Sequence, residues 1–214
     1  MKAMVRLRKL LSDEDFRREA LGIWDPSADR LIDLARWAAT AVDAEVRPGV
    51  VAVDGSLDGD VDVVGVSLGD AGVPVLKLLD HRQGTGGIVD YCKWLDKEFD
   101  PVFLVDEASP VFWLVRELLD AGLTVYTMKS AEVASAAAQL VEAVLLAAVQ
   151  HVPSPEFDAA VHGVRARPFR DGGFFLGRRV SNVNIGPVTA GAAALWGWSV
   201  YGEGLGVGDV TVTF

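Results

Sequence analysis

The spacing of apolar residues changes period along the chain, and the changes mark its elements. SDEDFRREALG (12–22) carries acids in a first turn behind Ser12, with Asp15 three residues on and Gly22 as a stop, which predicts a helix. Leu31, Leu34, Ala35, Ala38 and Val42 recur at helical spacing behind another serine, predicting a second helix over 27–45. Pro48 and Gly49 close this section, so residues 1–46 read as a helical lead-in segment and 47–214 as one domain. The period then shortens. VVAVDGS (50–56), VDVVGVSLGD (61–70) and VPVLKLLDHRQ (73–83) are β-branched runs broken by turn residues, and they predict a three-strand meander.

Past Gly84-Thr85-Gly86-Gly87, IVDYCKWLDKEF (88–99) returns to helical spacing and PVFLVDE (101–107) reads as a buried strand. SPVFWLVRELLDAG (109–122) predicts a helix with Ser109 as cap, Pro110 at its first position and Gly122 as stop. LTVYTM (123–128) predicts a strand, AEVASAAAQLVEAVLLAAVQ (131–150) a long helix, and PEFDAAVHGV (155–164) a shorter one. A strand-like stretch through GGFFLGRR (172–179) and a last helix over 184–198 complete the chain. Strand–helix–strand units need crossovers and hence parallel pairing, whereas a meander is antiparallel. The order therefore predicts an α/β fold: a mixed β-sheet of about five main strands, helices on both faces and an added β-hairpin.

Composition narrows the class. With 20 Lys+Arg against 30 Asp+Glu, the 214 residues carry a net charge of −10. Half the chain is hydrophobic, which excludes extended disorder. No apolar run reaches the roughly 18–20 residues of a membrane span, and the first residues turn acidic where a signal peptide would be apolar. The expectation is a soluble, non-secreted protein without a membrane partner. One cysteine, Cys92, excludes an internal disulfide and a thiolate metal site. Acidity argues against nucleic acid, yet it is local: residues 51–130 hold 6 basic and 14 acidic residues. Arg165, Arg167, Arg170, Arg178 and Arg179 cluster elsewhere, either as a solvated hairpin or as contacts for a DNA backbone.

Asp54 ends the apolar run VVAV and Asp106 ends VFLV. Ionisable groups at the ends of buried strands are turn formers or site residues, and open α/β folds keep their sites at that sheet edge. Two such carboxylates have the hard oxygen donors that suit Mg²⁺ or Mn²⁺, and a pair of ions catalyses in-line displacement at phosphorus. Asp58, Asp60 and Asp62 either punctuate a solvated hairpin or supply outer ligands, Asp60 foremost. His151 either complements the end of the long helix or approaches the site. The glycines at 84–87 match no phosphate-binding fingerprint, and the Gly-x-Ser-x-Gly of a serine hydrolase is absent.

Several stretches together resemble the nuclease domain of the large terminase subunit of tailed bacteriophages, a member of the ribonuclease H-like superfamily. They are FRREALGIWD (16–25), VVAVDGS, DHRQGTGG (80–87), FLVDEASP, HVPSPEFDAAV (151–161) and RRVSNVNIGPVTAGAAALWG (178–197), in the family's order. The resemblance implies a ribonuclease H-like domain over 47–214, with Asp54 and Asp106 as catalytic metal ligands. The family's third acid, in a stretch like Ser-x-x-Asp-Ile-x-Pro, falls on Asn184 in Ser181-Asn182-Val183-Asn184-Ile185-Gly186-Pro187. An amide keeps a carbonyl oxygen but loses one negative charge, which leaves three explanations open: an engineered inactivating change, a natural variant recruiting Asp158 or Asp171, or a domain that has lost cleavage.

What the resemblance implies is a metal-dependent endonuclease of phage DNA packaging. It would cut concatemeric double-stranded DNA with two Mg²⁺ or Mn²⁺ ions and little sequence preference. Its partners would be the ATPase domain of the packaging motor, the portal and the small terminase subunit, in the cytoplasm of the infected host. Because the family's P-loop ATPase is not represented here, the implied unit is an isolated nuclease domain. Two alternatives stand beside it: a catalytically impaired DNA-binding or docking module, and a ribonuclease H-like resolvase of branched DNA.

Overall fold

The computed structural model describes residues 30–170 and 172–202. The helix expected over 12–22, the start of that over 27–45, and Asp171 lie outside the described residues. β1 (Val50–Gly55), β2 (Asp60–Leu68) and β3 (Pro74–Gln83) form the meander. β4 (Val102–Asp106) lies parallel to β1, and β5 (Val125–Met128) parallel to β4. A two-residue β6 (Gln150–His151) pairs parallel to β3, so the six-stranded sheet runs β5-β4-β1-β2-β3-β6. β7 (Ala166–Phe169) and β8 (Gly173–Leu176) make a separate antiparallel hairpin. The helices are α1 (Leu34–Ala39), α2 (Ile88–Phe99), α3 (Leu114–Asp120), α4 (Ser130–Leu145), α5 (Pro155–Gly163) and α6 (Gly186–Tyr201).

Strand parity sorts the core into two layers. Val50, Ala52, Val64, Val66 and Leu104 pack with α4, α5 and α6 on one face. Val51, Val53, Phe103 and Val105 pack with α2 and α3 on the other. The expected mixed sheet with helices on both faces is thus observed, with a short sixth strand at its edge. α6 lies close on β1 and β4: a Cβ on Gly197 would stand 2.8 Å from Leu104 and 2.9 Å from Val50. Among the described residues no helix is long and apolar enough to cross a membrane.

Three boundaries differ from the pattern. The helix expected over 27–45 is limited, where described, to α1, because Val42 N–H donates to the His151 carbonyl and His151 N–H to Thr40, drawing the chain onto β6. Ile32 and Trp37 lie in the same buried cluster as Val50 and Ala52 of β1. The helix expected from Ser109 begins its regular turns at Leu114, because the Ser109 hydroxyl donates to Asp54. It ends as expected: Gly122, at φ 87°, and Leu123 donate back to Leu119 and Leu118 in a Schellman arrangement. The long helix stops at Leu145, five residues early, because Val149 is core and Gln150 and His151 join the sheet.

His151 is therefore a strand residue, fully buried and stacked on Trp37 with ring centroids 3.6 Å apart. Trp37 Nε1–H donates to Asp158 (2.8 Å), and Asp158 lies 3.8 Å from His151 Nε2. Burial pulls the imidazole down to about 4, against the pull of Asp158. The unfolded chain binds this proton below about pH 6.5, whereas the folded chain resists it until about pH 4. Stability contributed by neutral His151 is thus present above pH 6.5 and lost as the pH falls towards 4. His151→Phe, which keeps the ring stack, should remove on the order of 1–3 kcal/mol of that acid sensitivity in denaturant titrations at pH 7 and 4.5. Identical pH dependence in both proteins would refute this assignment.

Candidate active site

Asp54 and Asp106 continue the inward parity of Val50, Ala52 and Leu104, so both carboxylates emerge on the α6 face at the carboxyl ends of adjacent parallel strands. Both are buried, and each is held by local donors. Asp54 accepts from Ser109 Oγ (2.6 Å) and from the Thr189 hydroxyl on α6. Asp106 accepts from the Ala108 N–H (2.8 Å), an Asx turn that bends the chain away from β4. Burial raises the Asp106 carboxyl above the usual range, against the Ala108 N–H and Arg178.

Arg178, just past β8, turns into this slot. Its Nη2 lies 2.6 Å from both oxygens of Asp54, and its Nη1 lies 3.5 Å from Asp106. Burial opposes the guanidinium charge, but the two carboxylates outweigh it and raise its pKa. Among the described residues, Arg178 Nε is the one buried side-chain polar atom with no partner.

The antiparallel register sets Asp62 opposite Asp54. Asp62 is fully buried on the same face, and desolvation lifts its carboxyl to about 6 against the His81 hydrogen bond. His81 Nδ1 is 2.7 Å from Asp62 Oδ1, and its own pKa is raised: desolvation works against the charge, but the hydrogen bond to Asp62 and the negative charges of Asp62, Asp60 and Glu156 together outweigh it. A β-bulge makes this pairing. Val64 faces Leu78, so an unbroken register would bring Asp80 opposite Asp62; the shift between Val63 and Val64 substitutes His81. Two opposed carboxylates are thereby replaced by an acid–imidazole pair.

Asn184 adjoins this side of the cluster. Its amide nitrogen donates to Asp60 (3.1 Å) and Asp62 (3.4 Å), and its carbonyl oxygen accepts from the Gly186 N–H (2.7 Å). Carboxylates can only accept, so the amide is held NH₂-first towards them. The carbonyl oxygen expected from the sequence as a metal donor is thus engaged at the start of α6. Gly186 itself permits the approach, since a Cβ there would overlap Asp62 Oδ2. Asp60 remains half-exposed on the same face, with its N–H bonded to Ser56 Oγ (2.9 Å).

His151 and Asp158 are not brought to this cluster. Through Leu76 and Val66, His151 is level with Val50, four residues before Asp54 and three strands across, roughly 13 Å by about 14 Å away. The arginines divide. Arg167, Arg170 and Arg179 are exposed on and beside the hairpin, with Arg167 over Phe175 and Arg170 over Phe169. Arg165 is half-buried, its N–H donating to Ser181, whereas Arg178 alone enters the acid slot. A cavity of about 500 Å³ between hairpin, α4 and α6 has Asp54, Asp106, Arg167 and Arg179 in its wall.

Sequence reasoning left Asp62 open between a hairpin residue and an outer ligand, and missed His81, Ser109 and Thr189 as members of this site. Asp62 had a signal: in Val61-Asp62-Val63 it breaks a run of valines at the parity of Asp54. The others depend on the bulge and on helix packing.

Divalent ions suit this donor set in part. No group of three or more His, Cys, Asp or Glu side chains converges on one point among the described residues. Two carboxylates already hold a cationic group between them, however, and hard oxygen donors around a cation fit Mg²⁺ or Mn²⁺.

No family model matches the sequence, and no curated protein is significantly similar to it. Solved structures are similar. The HK97 bacteriophage large terminase superposes with a TM-score of 0.64 at 14% identity over 89% of this chain and 51% of that one. This chain therefore spans about half the length of that protein. The large terminase nuclease of thermophilic phage G20c with bound magnesium superposes with a TM-score of 0.58 at 10% identity, over 79% of this chain and 97% of that one. At such identities the likeness is one of fold: this chain shares the fold of these phage large terminase structures.

Proposed function

We propose that this chain is a divalent-metal-dependent nuclease of phage DNA packaging that cuts double-stranded DNA with little sequence preference. The observation that carries the reading is the slot between Asp54 and Asp106. Two carboxylates end adjacent parallel strands and already hold a cationic group, in a fold shared with a phage nuclease that binds magnesium. Asp54 and Asp106 would hold the ion, with Asp60 a further carboxylate on the same face. Mg²⁺ or Mn²⁺ there, one ion or a pair, would acidify water and stabilise charge in an in-line displacement at phosphorus. Ser109 and Thr189 fix the orientation of Asp54, and the Ala108 N–H fixes Asp106. Asp62 orients His81 through Nδ1, leaving Nε2 without a protein partner among the described residues and able to exchange a proton with water.

Exposed Arg167, Arg170 and Arg179 offer contacts to phosphate without reading bases, which supports weak sequence preference. A packaging ATPase domain, the portal and the small terminase subunit would be its partners, in the cytoplasm of the infected host. A second reading, a DNA-binding or docking module, is favoured by Asn184, whose amide is built into the acid cluster as a donor. A resolvase role has no particular feature in its favour.

Plasmid cleavage in Mn²⁺ tests the first reading. Asp54→Ala and Asp106→Ala should each slow it at least ~100-fold while the protein stays folded; cleavage by Asp54→Ala at the wild-type rate would sink the assignment. Asn184→Asp distinguishes the two readings. It exchanges a donor for a third carboxylate beside Asp60 and Asp62, so the metal-free protein should lose about 1–3 kcal/mol and bind divalent ions more tightly. Cleavage in Mn²⁺ by either form supports the nuclease, whereas inactivity of both supports the docking module. Arg167→Ala should weaken DNA binding for all sequences alike and lower the salt slope by about 1, read by fluorescence anisotropy over a salt series.

A further inference from the structure

Arg178 poses a chemical problem that the nuclease reading does not address. Its guanidinium lies between the two carboxylates best suited to a metal ion, with one nitrogen on each. It is not a fork-to-fork pair. Nη2 bridges both oxygens of Asp54, Nη1 reaches Asp106, and Nε is left buried without a partner. An arginine optimised as a structural ion pair would present two parallel N–H groups to one carboxylate and satisfy the remaining nitrogen. Here the side chain gives up one hydrogen bond to place its charge between two acids.

We infer that Arg178 is an internal counter-ion that shares the Asp54/Asp106 slot with a divalent cation: it fills the slot in the metal-free protein and withdraws when the ion binds. The inference rests on the reading of Asp54 and Asp106 as metal ligands. The reason for sharing is electrostatic. Buried carboxylates facing one another without a cation would repel or take up protons, and the site would lose the geometry an incoming ion needs. A guanidinium maintains that geometry with one positive charge, and an ion carrying two outcompetes it. The orphaned Nε makes the exchange easier, because withdrawal to solvent restores a lost hydrogen bond. Room for withdrawal exists. Arg178 also borders a second cavity of about 620 Å³, lined by Ser56, Asp58, Asn182 and Asn184. Arg179 beside it is already exposed, so a released Arg178 would join the exposed arginines on and beside the hairpin.

Competition has a binding signature that does not depend on cleavage. Mn²⁺ affinity should be measured by isothermal titration calorimetry on the wild type, Arg178→Gln, Arg178→Lys and Arg167→Gln. Removing the competitor in Arg178→Gln should tighten Mn²⁺ binding by about 5- to 150-fold. Arg178→Lys keeps the charge but offers one nitrogen in place of the two that meet Asp54 and Asp106, so it should fall between wild type and Arg178→Gln, and it carries the test if the glutamine variant does not fold. Arg167→Gln removes an exposed charge outside the slot and should change affinity less than about threefold, because solvent screens it. Equal or weaker binding by both Arg178 variants, with wild type still binding Mn²⁺, overturns the inference alone. A tightening in Arg167→Gln equal to that in Arg178→Gln also overturns it, since bulk charge would then account for both. If no variant binds Mn²⁺ at millimolar concentration, the inference falls together with the metal reading of the slot.

Discussion

The central constraint on this molecule is the crowding of carboxylates at one end of a sheet buried on both faces. Asp54, Asp60, Asp62 and Asp106 emerge on the same side, and three of the four are buried. Two unit charges 4 Å apart interact by roughly 4 kcal/mol at an effective dielectric of 20. Against a total stability of about 5–15 kcal/mol for a domain, several such repulsions cannot stand uncompensated. Each neighbouring element therefore supplies a donor or a cation. Ser109 and the Ala108 N–H come from the turn after β4, Thr189 from α6, His81 from the bulge in β3, Asn184 from the lead-in to α6, and Arg178 from the end of the hairpin.

The apolar architecture makes this convergence possible. Alternation in β1, β2 and β4 sends every second residue to the α6 face, where valines and leucines form the core along most of the strand and aspartates take over at its end. α6 can lie close because Gly186 and Gly197 have no Cβ to meet Asp62, Leu104 or Val50. The same closeness brings Thr189 within reach of Asp54. Packing and polar compensation are thus one arrangement: a bulkier residue at the start of α6 would displace the donors that make the acid cluster tolerable. At the opposite end of the sheet, Trp37, His151 and Asp158 form a separate polar knot that secures the edge strand and takes no part in the site.

Much of this was legible in the sequence, and for physical reasons. Local periodicity reports which residues face inward, so the three meander strands, the two crossover strands and α2, α5 and α6 could be read from runs of valine and from helical spacing. Asp54 and Asp106 were legible because a charge at the end of an apolar run is costly unless it has a partner. Boundaries were less so. The extra residues assigned to α4 are Leu, Ala, Val and Gln, which suit a helix locally; only pairing of β6 with β3 takes them out of it. The arginine run looked uniform, yet Arg178 differs from its neighbours only in where the turn after β8 points it.

Alternation, capping residues and strand-end acids, acting within a few residues of one another, were enough to determine from sequence the α/β class, most elements and the two aspartates at the slot. Tertiary structure alone decided that Asp62 and His81 pair, that Asn184 serves the cluster as a donor, and that Arg178 enters the acid slot while Arg167, Arg170 and Arg179 remain outside. The difference is one of range. A one-residue bulge in β3 and the close approach of α6 set which side chain meets which across up to 135 residues of chain, and a local pattern carries no information at that distance.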